Sequence, residues 1–240
     1  MSTLSVETID VFYGQAQALH GASLIAQSPG VTCLLGRNGV GKTTMLRAIM
    51  GLQKVDRGQL VLDGRVVTAM PPHARAALGI RLVPQDQVVF PGLTVKDHLD
   101  LARATRARRS PLAQSSPAQS SGEQWTDYFP VLRERLSQRA DTLSGGERKM
   151  LAISQALLGG AEFLLMDEPT EGVQPSIVES IAASLVEIGK SIGVLLVEQN
   201  LDVVSFVGGD NYIMEKGAIA AQGPFDDLER SGHIERYLGL

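Results

Sequence analysis

Gly36-Arg37-Asn38-Gly39-Val40-Gly41-Lys42-Thr43-Thr44 is the stretch that decides the fold. It has the form G-x-x-x-x-G-K-[ST], a phosphate-binding loop. An apolar run, Val31 to Leu35, precedes it, and Met45, Leu46 and Ile49 follow at helical spacing. That is the strand–loop–helix setting the pattern requires. A chance glycine-rich turn would not bring both flanks with it. Glycines at 36, 39 and 41 let the backbone wrap an anion, with N–H groups and a helix start aimed at phosphates. Lys42 is placed to reach the β- and γ-phosphates, and the Thr43 hydroxyl to sit on Mg²⁺.

Composition narrows the setting. The chain has 240 residues, 44% of them hydrophobic, enough for one large domain or two small ones. Its 22 basic and 26 acidic residues give a net charge of −4, so composition makes no case for nucleic acid as partner. The single cysteine, Cys33, lies in the strand before the phosphate loop and excludes an intrachain disulfide; a small buried apolar side chain is its expected role. The N-terminus lacks the basic-then-apolar order of a signal peptide. No apolar run approaches the ~20 residues needed to span a bilayer. A membrane role would therefore come through a partner.

Strand-like and helix-like segments alternate, which predicts an α/β fold with a largely parallel sheet covered by helices. Strands are expected at 31–35, 80–83, 162–166 and 193–197. Ile177, Ile181, Leu185 and Ile188 fall at helical spacing behind Pro175, which suits a helix start. Tyr212-Ile213-Met214, the turn Glu215-Lys216-Gly217 and Ala218–Ala221 read as a hairpin. Residues 103–124 break the pattern: Arg103, Arg106, Arg108 and Arg109 precede a tract rich in Ser, Gln, Ala and Pro. With little to bury, 103–124 is expected to form a flexible loop, its arginines a solvated helix end.

Two further motifs complete a site. Phe163-Leu164-Leu165-Met166-Asp167-Glu168 is an apolar strand ending in two carboxylates. Ligands in open α/β sheets bind at such strand ends. Asp167 would hold Mg²⁺ beside the phosphate loop, and Glu168 would orient or deprotonate the attacking water. In Leu143-Ser144-Gly145-Gly146-Glu147, Ser144 and Glu147 form a capping box that opens a helix through Met150, Leu151, Ile153 and Leu157. Two glycines in a first helical turn cost stability. They make sense if bare backbone must approach an anion. A second anion site so far along the chain serves one nucleotide most simply across a two-fold dimer.

LSGGE at 143–147, between the phosphate loop and MDEP at 166–169, resembles the ATP-binding cassette (ABC) family over essentially all 240 residues. The resemblance implies a single domain, 1–240, of P-loop NTPase fold with antiparallel β segments. Its nucleotide-binding core would be 1–85 plus 161–240, and 86–160 an inserted helical subdomain. ATP and Mg²⁺ would be its ligands. Gly36, Arg37, Asn38, Gly39, Val40, Gly41, Lys42, Thr43 and Thr44 would hold the nucleotide. Tyr13 would stack on adenine, and Gln85 would sense Mg²⁺ and water. Thr43, Gln85 and Asp167 would form the metal set. Lys42, Glu168 and Gln199 would be catalytic. Ser144, Gly145 and Gly146 would act on the nucleotide of an opposed chain.

The departures are informative. The loop after the carboxylates reads Glu171-Gly172-Val173-Gln174, where aspartate often ends it, and the switch position is Gln199 in place of the common histidine. Val197-Glu198-Gln199-Asn200 resembles one ATPase of the branched-chain amino-acid and urea importers. The runs Leu34–Lys42 and Glu168–Ser176 look like the urea branch, while Ser154-Gln155 fits less well. The resemblance thus implies an importer ATPase for a small polar solute, urea or a short amide ahead of a branched-chain amino acid. Transmembrane permease subunits, a second cassette subunit and an extracytoplasmic solute-binding protein would be its partners, at the cytoplasmic face of the inner membrane. A cassette ATPase acting on nucleic acid or ribosomes is the alternative of another class. Such proteins usually carry two cassettes or coiled-coil arms, and this chain has neither.

Overall fold

The computed structural model of the chain describes residues 1–86, 89–107 and 125–239. In chain order the elements are β1 (Ser2–Tyr13), β2 (Ala16–Ser28), β3 (Gly30–Leu35), α1 (Lys42–Met50), β4 (Arg57–Leu62), β5 (Arg65–Val66), α2 (Pro72–Ala77) and β6 (Ile80–Val83). Among the described residues four α-helices follow, α3 (Val95–Ala107), α4 (Trp125–Tyr128), α5 (Pro130–Glu134) and α6 (Gly145–Leu158), with a 3-10 turn at Ala140–Thr142 before the last. The chain then alternates β7 (Phe163–Asp167), α7 (Pro175–Gly189), β8 (Gly193–Val197) and α8 (Leu201–Val207). It closes with β9 (Asp210–Glu215), β10 (Ala218–Gly223), α9 (Phe225–Arg230) and α10 (His233–Leu238).

The strands form two sheets. One has six strands in the order β10-β9-β3-β8-β7-β6, the other four in the order β2-β1-β4-β5. In the larger sheet β9-β3-β8-β7-β6 pair in parallel, and only the β9–β10 hairpin is antiparallel. Every residue of β7 and β8 is buried, as expected of strands covered on both faces. Successive residues serve two cores. Leu34, Phe163, Leu165, Leu195 and Val197 pack with α1 and the smaller sheet. Cys33, Leu164, Met166, Val194 and Leu196 pack with α6, α7 and the helices before them.

The strands expected at 31–35, 80–83, 162–166 and 193–197 are present, each within a residue of its expected ends, and both hairpin strands are present, each two residues longer at its outer end than expected. Asp167 is the last residue of β7, so its carboxylate stands at the strand's C-terminal edge. Pro175 opens α7, whose Ile181, Leu185 and Ile188 are buried. The β9–β10 turn is shorter than expected, because Lys216 and Gly217, at φ 47° and 81°, alone carry it. The loop expected from 103 begins later. Residues 103–107 continue α3, supported by Lys96–Asp100 and Arg103–Asp100 pairs at 2.5 and 3.0 Å. Arg108, Arg109 and the Ser/Pro tract lie outside the described residues.

Candidate nucleotide site

The phosphate loop runs from the end of β3 into α1 along one wall of a cavity of about 610 Å³. Two glycines shape it. A Cβ at Gly36 (φ 154°) would lie 2.6 Å from the Met214 carbonyl oxygen. One at Gly41 (φ 114°) would lie 2.9 Å from Leu19 Cδ2. The loop is thus pressed between β2 and β9, and the Gly217 N–H donates to the Val40 carbonyl at 2.8 Å. Helix α1 has nine residues, no acidic residue in its first turn and Gly41 as its cap, which offers no side chain to the first N–H groups. These donors suit an anion.

The charged groups converge at the same edge. Buried Lys42 donates through Nζ to the carbonyls of Gly36 and Arg37 at 2.6 and 3.1 Å, and lies 3.3 Å from Glu168 Oε1. Gln199, just past β8, donates to Glu168 Oε1 and to Asn38 Oδ1, both at 2.6 Å. Thr43 Oγ1 donates to Asp167 Oδ1 at 3.2 Å. Burial pushes the Asp167 carboxyl up, and the Thr43 hydroxyl opposes that only in part. Gln85 reaches the Glu171 carboxylate, and both line the cavity. Among the described residues no three His, Cys, Asp or Glu side chains form a metal cage. One carboxylate and one hydroxyl beside phosphate is a set Mg²⁺ accepts, because that ion keeps waters and uses substrate oxygens.

The signature segment lies elsewhere. Ser144 caps α6, accepting from the Glu147 N–H at 3.3 Å, while its own N–H donates to Glu147 Oε2 at 2.8 Å. Ser144, Gly145 and Gly146 line a second cavity of about 640 Å³ that shares no residue with the first. A third cavity of about 370 Å³, lined by Gln85, Glu171, Lys149 and Gly145, shares residues with both.

The profile of the ABC transporter family matches residues 19–171. The chain belongs to the ABC transporter family. A probable branched-chain amino acid transport ATP-binding protein LivF of Archaeoglobus fulgidus is 34% identical over 93% of each chain. A high-affinity branched-chain amino acid transport ATP-binding protein BraG of Pseudomonas aeruginosa is 32% identical over 90% of each. The lipopolysaccharide export system ATP-binding protein LptB of Haemophilus influenzae is 32% identical over 100% of this chain and 98% of its own. A solved ATP-binding cassette of an ABC transporter, in its ADP conformation, matches with TM-score 0.84 and 26% identity over 100% of this chain and 98% of that one. The ABC protein described here is thus an ATP-hydrolysing transporter subunit. No helix among its described residues is long and apolar enough to cross a membrane.

Three placements bear on the sequence reading of this ABC ATPase. Tyr13 ends β1, 46% exposed, and is not in the wall of the first cavity; Gln17, Ala18 and His20 are. Gly146 does not need an anion to explain it: a Cβ there would lie 2.7 Å from Ile177 Cγ2, so helix packing accounts for it. Gly145 has nothing within 4 Å of a built Cβ and stays open to a ligand. Ser154-Gln155 ties α6 internally and to α3, through Ser154 to the Met150 carbonyl at 2.9 Å and Gln155 to the His98 carbonyl at 3.4 Å.

Sequence reasoning missed two buried residues around the site. Glu198 accepts from the N–H groups of Thr170, Gln199 and Asn200 at 3.2, 2.8 and 3.1 Å and from the Thr170 hydroxyl, fixing the turns after β7 and β8 to each other. Lys149 of α6 donates to the carbonyls of Glu168 and Glu171 at 3.1 and 2.6 Å. Burial lowers the Lys149 ammonium pKa, against the pull of Glu171, Glu198 and Glu168. The visible signals were a carboxylate closing an apolar strand and a lysine on the stripe it shares with Ile153.

Proposed function

We propose that the chain powers an importer of a small polar solute, as one half of a two-cassette dimer. The carrying observation is the joined cluster of Lys42, Glu168 and Gln199, which places a cation, a carboxylate and an amide at the mouth of the phosphate loop. Loop N–H groups and Lys42 hold the phosphates of ATP, and Tyr13 stacks on the base from the rim. Mg²⁺, when bound, would supply charge neutralisation, and Thr43, Asp167 and Gln85 would hold it. Glu168 orients the attacking water and takes its proton. Gln199, an amide, holds Glu168 and phosphate in register without changing charge. Ser144 and Gly145 complete the site of the opposed chain. The helices α3 to α6 face the permease subunits, at the cytoplasmic face of the membrane. An extracytoplasmic solute-binding protein delivers the solute.

On the solute, the relatives LivF and BraG, both branched-chain amino acid transport ATP-binding proteins, support a branched-chain amino acid. The local runs at 34–42 and 168–176 support urea or a short amide. The first rests on nine-tenths of the chain, the second on short motifs that discriminate poorly within a family. We therefore place the amino-acid reading first. LptB, similar over the full length, shows that relatives also serve export.

Glu168→Gln tests the chemistry. Mg-ATP binding should persist while turnover falls about 10²-fold or more, the range for losing general-base help. Near wild-type turnover would refute the role. Deleting the gene and measuring radiolabelled leucine and urea uptake tests the solute. Loss of leucine uptake alone supports the first reading, loss of urea uptake alone the second, and neither loss sinks both.

A further inference from the structure

Glu168 is a non-glycine residue with φ 48°, in the left-handed region. Such a conformation persists only where the surroundings over-determine it. Its N–H donates to the Val197 carbonyl at 3.0 Å. Its carbonyl accepts from the Glu171 N–H at 3.3 Å and from Lys149 Nζ at 3.1 Å. Lys149 also holds the Glu171 carbonyl at 2.6 Å, so one ammonium spans both ends of the Glu168–Glu171 turn. Val197 and Glu198 fix that turn from β8, within the same sheet. Lys149 fixes it from α6, a helix whose first residues are Gly145 and Gly146. Lys149 is 7% exposed, and its charge lies in the field of Glu171, Glu198, Glu168 and Asp86.

A helix is stiff along its axis, and Lys149 stands little more than one turn from its cap. A shift of the α6 N-terminus therefore moves the ammonium, and with it the peptide that aims Glu168. We propose that Lys149 is a positioning residue that ties the seating of the Ser144–Gly146 turn to the aim of the Glu168 carboxylate in the same chain. The surface that touches one nucleotide is thereby coupled to the carboxylate that acts on the other. This rests on the reading of Glu168 and the signature turn given above.

The test uses steady-state ATP turnover by the full chain. Lys149→Met keeps the stem and removes the donors. It should lower kcat about 10- to 100-fold, the scale of a small misplacement of a reacting group. KM for ATP should stay within about two- to threefold. Lys149→Arg should recover most of kcat, since a guanidinium still donates to two carbonyls. In a Glu168→Gln background, Lys149→Met should add no further loss, because it acts through that carboxylate. Wild-type kcat in Lys149→Met, a loss carried by KM, or losses that multiply with Glu168→Gln would each overturn the proposal. Should Lys149→Met not fold, Lys149→Gln is read against the same outcomes. Wild-type turnover in Glu168→Gln alone would remove the underlying reading and this inference with it. A slow Glu168→Gln with an unaffected Lys149→Met removes only the inference.

Discussion

Two helix starts in this molecule have the sequence of anion sites, yet they are built in opposite ways. At α1 the cap is Gly41, the first turn has no acid, and Lys42 stands beside it. At α6 the cap is Ser144, whose hydroxyl serves the Glu147 N–H, and the Glu147 carboxylate occupies the first turn. That carboxylate is paired with Arg135 Nε at 2.7 Å. The α1 start leaves its donors to a ligand, whereas the α6 start spends its cap on the Glu147 N–H and keeps the face of Gly145 open. The difference teaches that these are unequal halves: one binds alone, and the other assists a nucleotide already held.

The sharpest way to break this comparison sets Lys42→Ala against Gly145→Asp. Lys42→Ala removes the cation of the α1 start and leaves buried Glu168 without its ion-pair partner, with only the Gln199 amide beside it. ATP binding by the single chain should be lost. Gly145→Asp adds a negative charge to the open face of α6, outside the wall of the first cavity. Single-chain ATP affinity should stay near wild type, measured by equilibrium titration, while dimer turnover falls about 10²-fold or more, as when a preorganised phosphate contact is lost. Equal loss of single-chain affinity in both variants would show that the two starts are not unequal halves.

The legibility of the sequence followed the same physics. Strands β3, β7 and β8 are buried on both faces, so they read directly as apolar runs. The long strands β1 and β2 escaped. In β1 the buried residues are Leu4, Val6, Ile9 and Val11, so the period-two alternation slips a residue where the register shifts between Val6 and Ile9. Thr8 takes φ 47° at that bulge. The phosphate loop and the Asp167-Glu168 pair were legible because each is a contiguous motif with its own flanking pattern. Lys149 and Glu198 were not, because their partners lie 19 and 28 residues away and meet them only after folding.

A smaller effect separates the glycines of the α6 start. Gly145 takes no positive φ and has open space around it, so Gly145→Ala should stabilise the chain by about 0.5–1 kcal/mol. Gly146→Ala would press a methyl against the branched Ile177 side chain and should destabilise by about 1–3 kcal/mol. Urea denaturation of both variants measures the difference. Equal shifts of the same sign would mean that Gly146 is not a packing residue, and would return it to the anion-facing role that sequence suggests.

The finest discrimination uses the acids of the two starts, whose pKa values move in opposite directions. Burial raises the Asp167 carboxyl beside α1. At Glu147 burial also pushes upward, but the Ser144 N–H, the Ser144 hydroxyl and the Arg135 charge outweigh it and leave the carboxyl below its usual value. Linkage then fixes the signs. A folded pKa above the unfolded one, ~3.9 for Asp, makes the charged form a burden that grows as pH rises from there through the folded value. A folded pKa below the unfolded one, ~4.3 for Glu, gives stability that is present above that value and lost as pH falls through the folded one. In Mg²⁺- and nucleotide-free buffer at pH 7, Asp167→Asn should therefore raise Tm, and Glu147→Gln should lower it. Both differences should shrink toward wild type as pH approaches 3. Adding Mg-ATP should reverse the first ranking, because the neutral amide of Asp167→Asn cannot hold the metal, and that variant loses the stabilisation that binding gives wild type. Shifts of the same sign at pH 7 would show that the two helix starts are electrostatically alike after all.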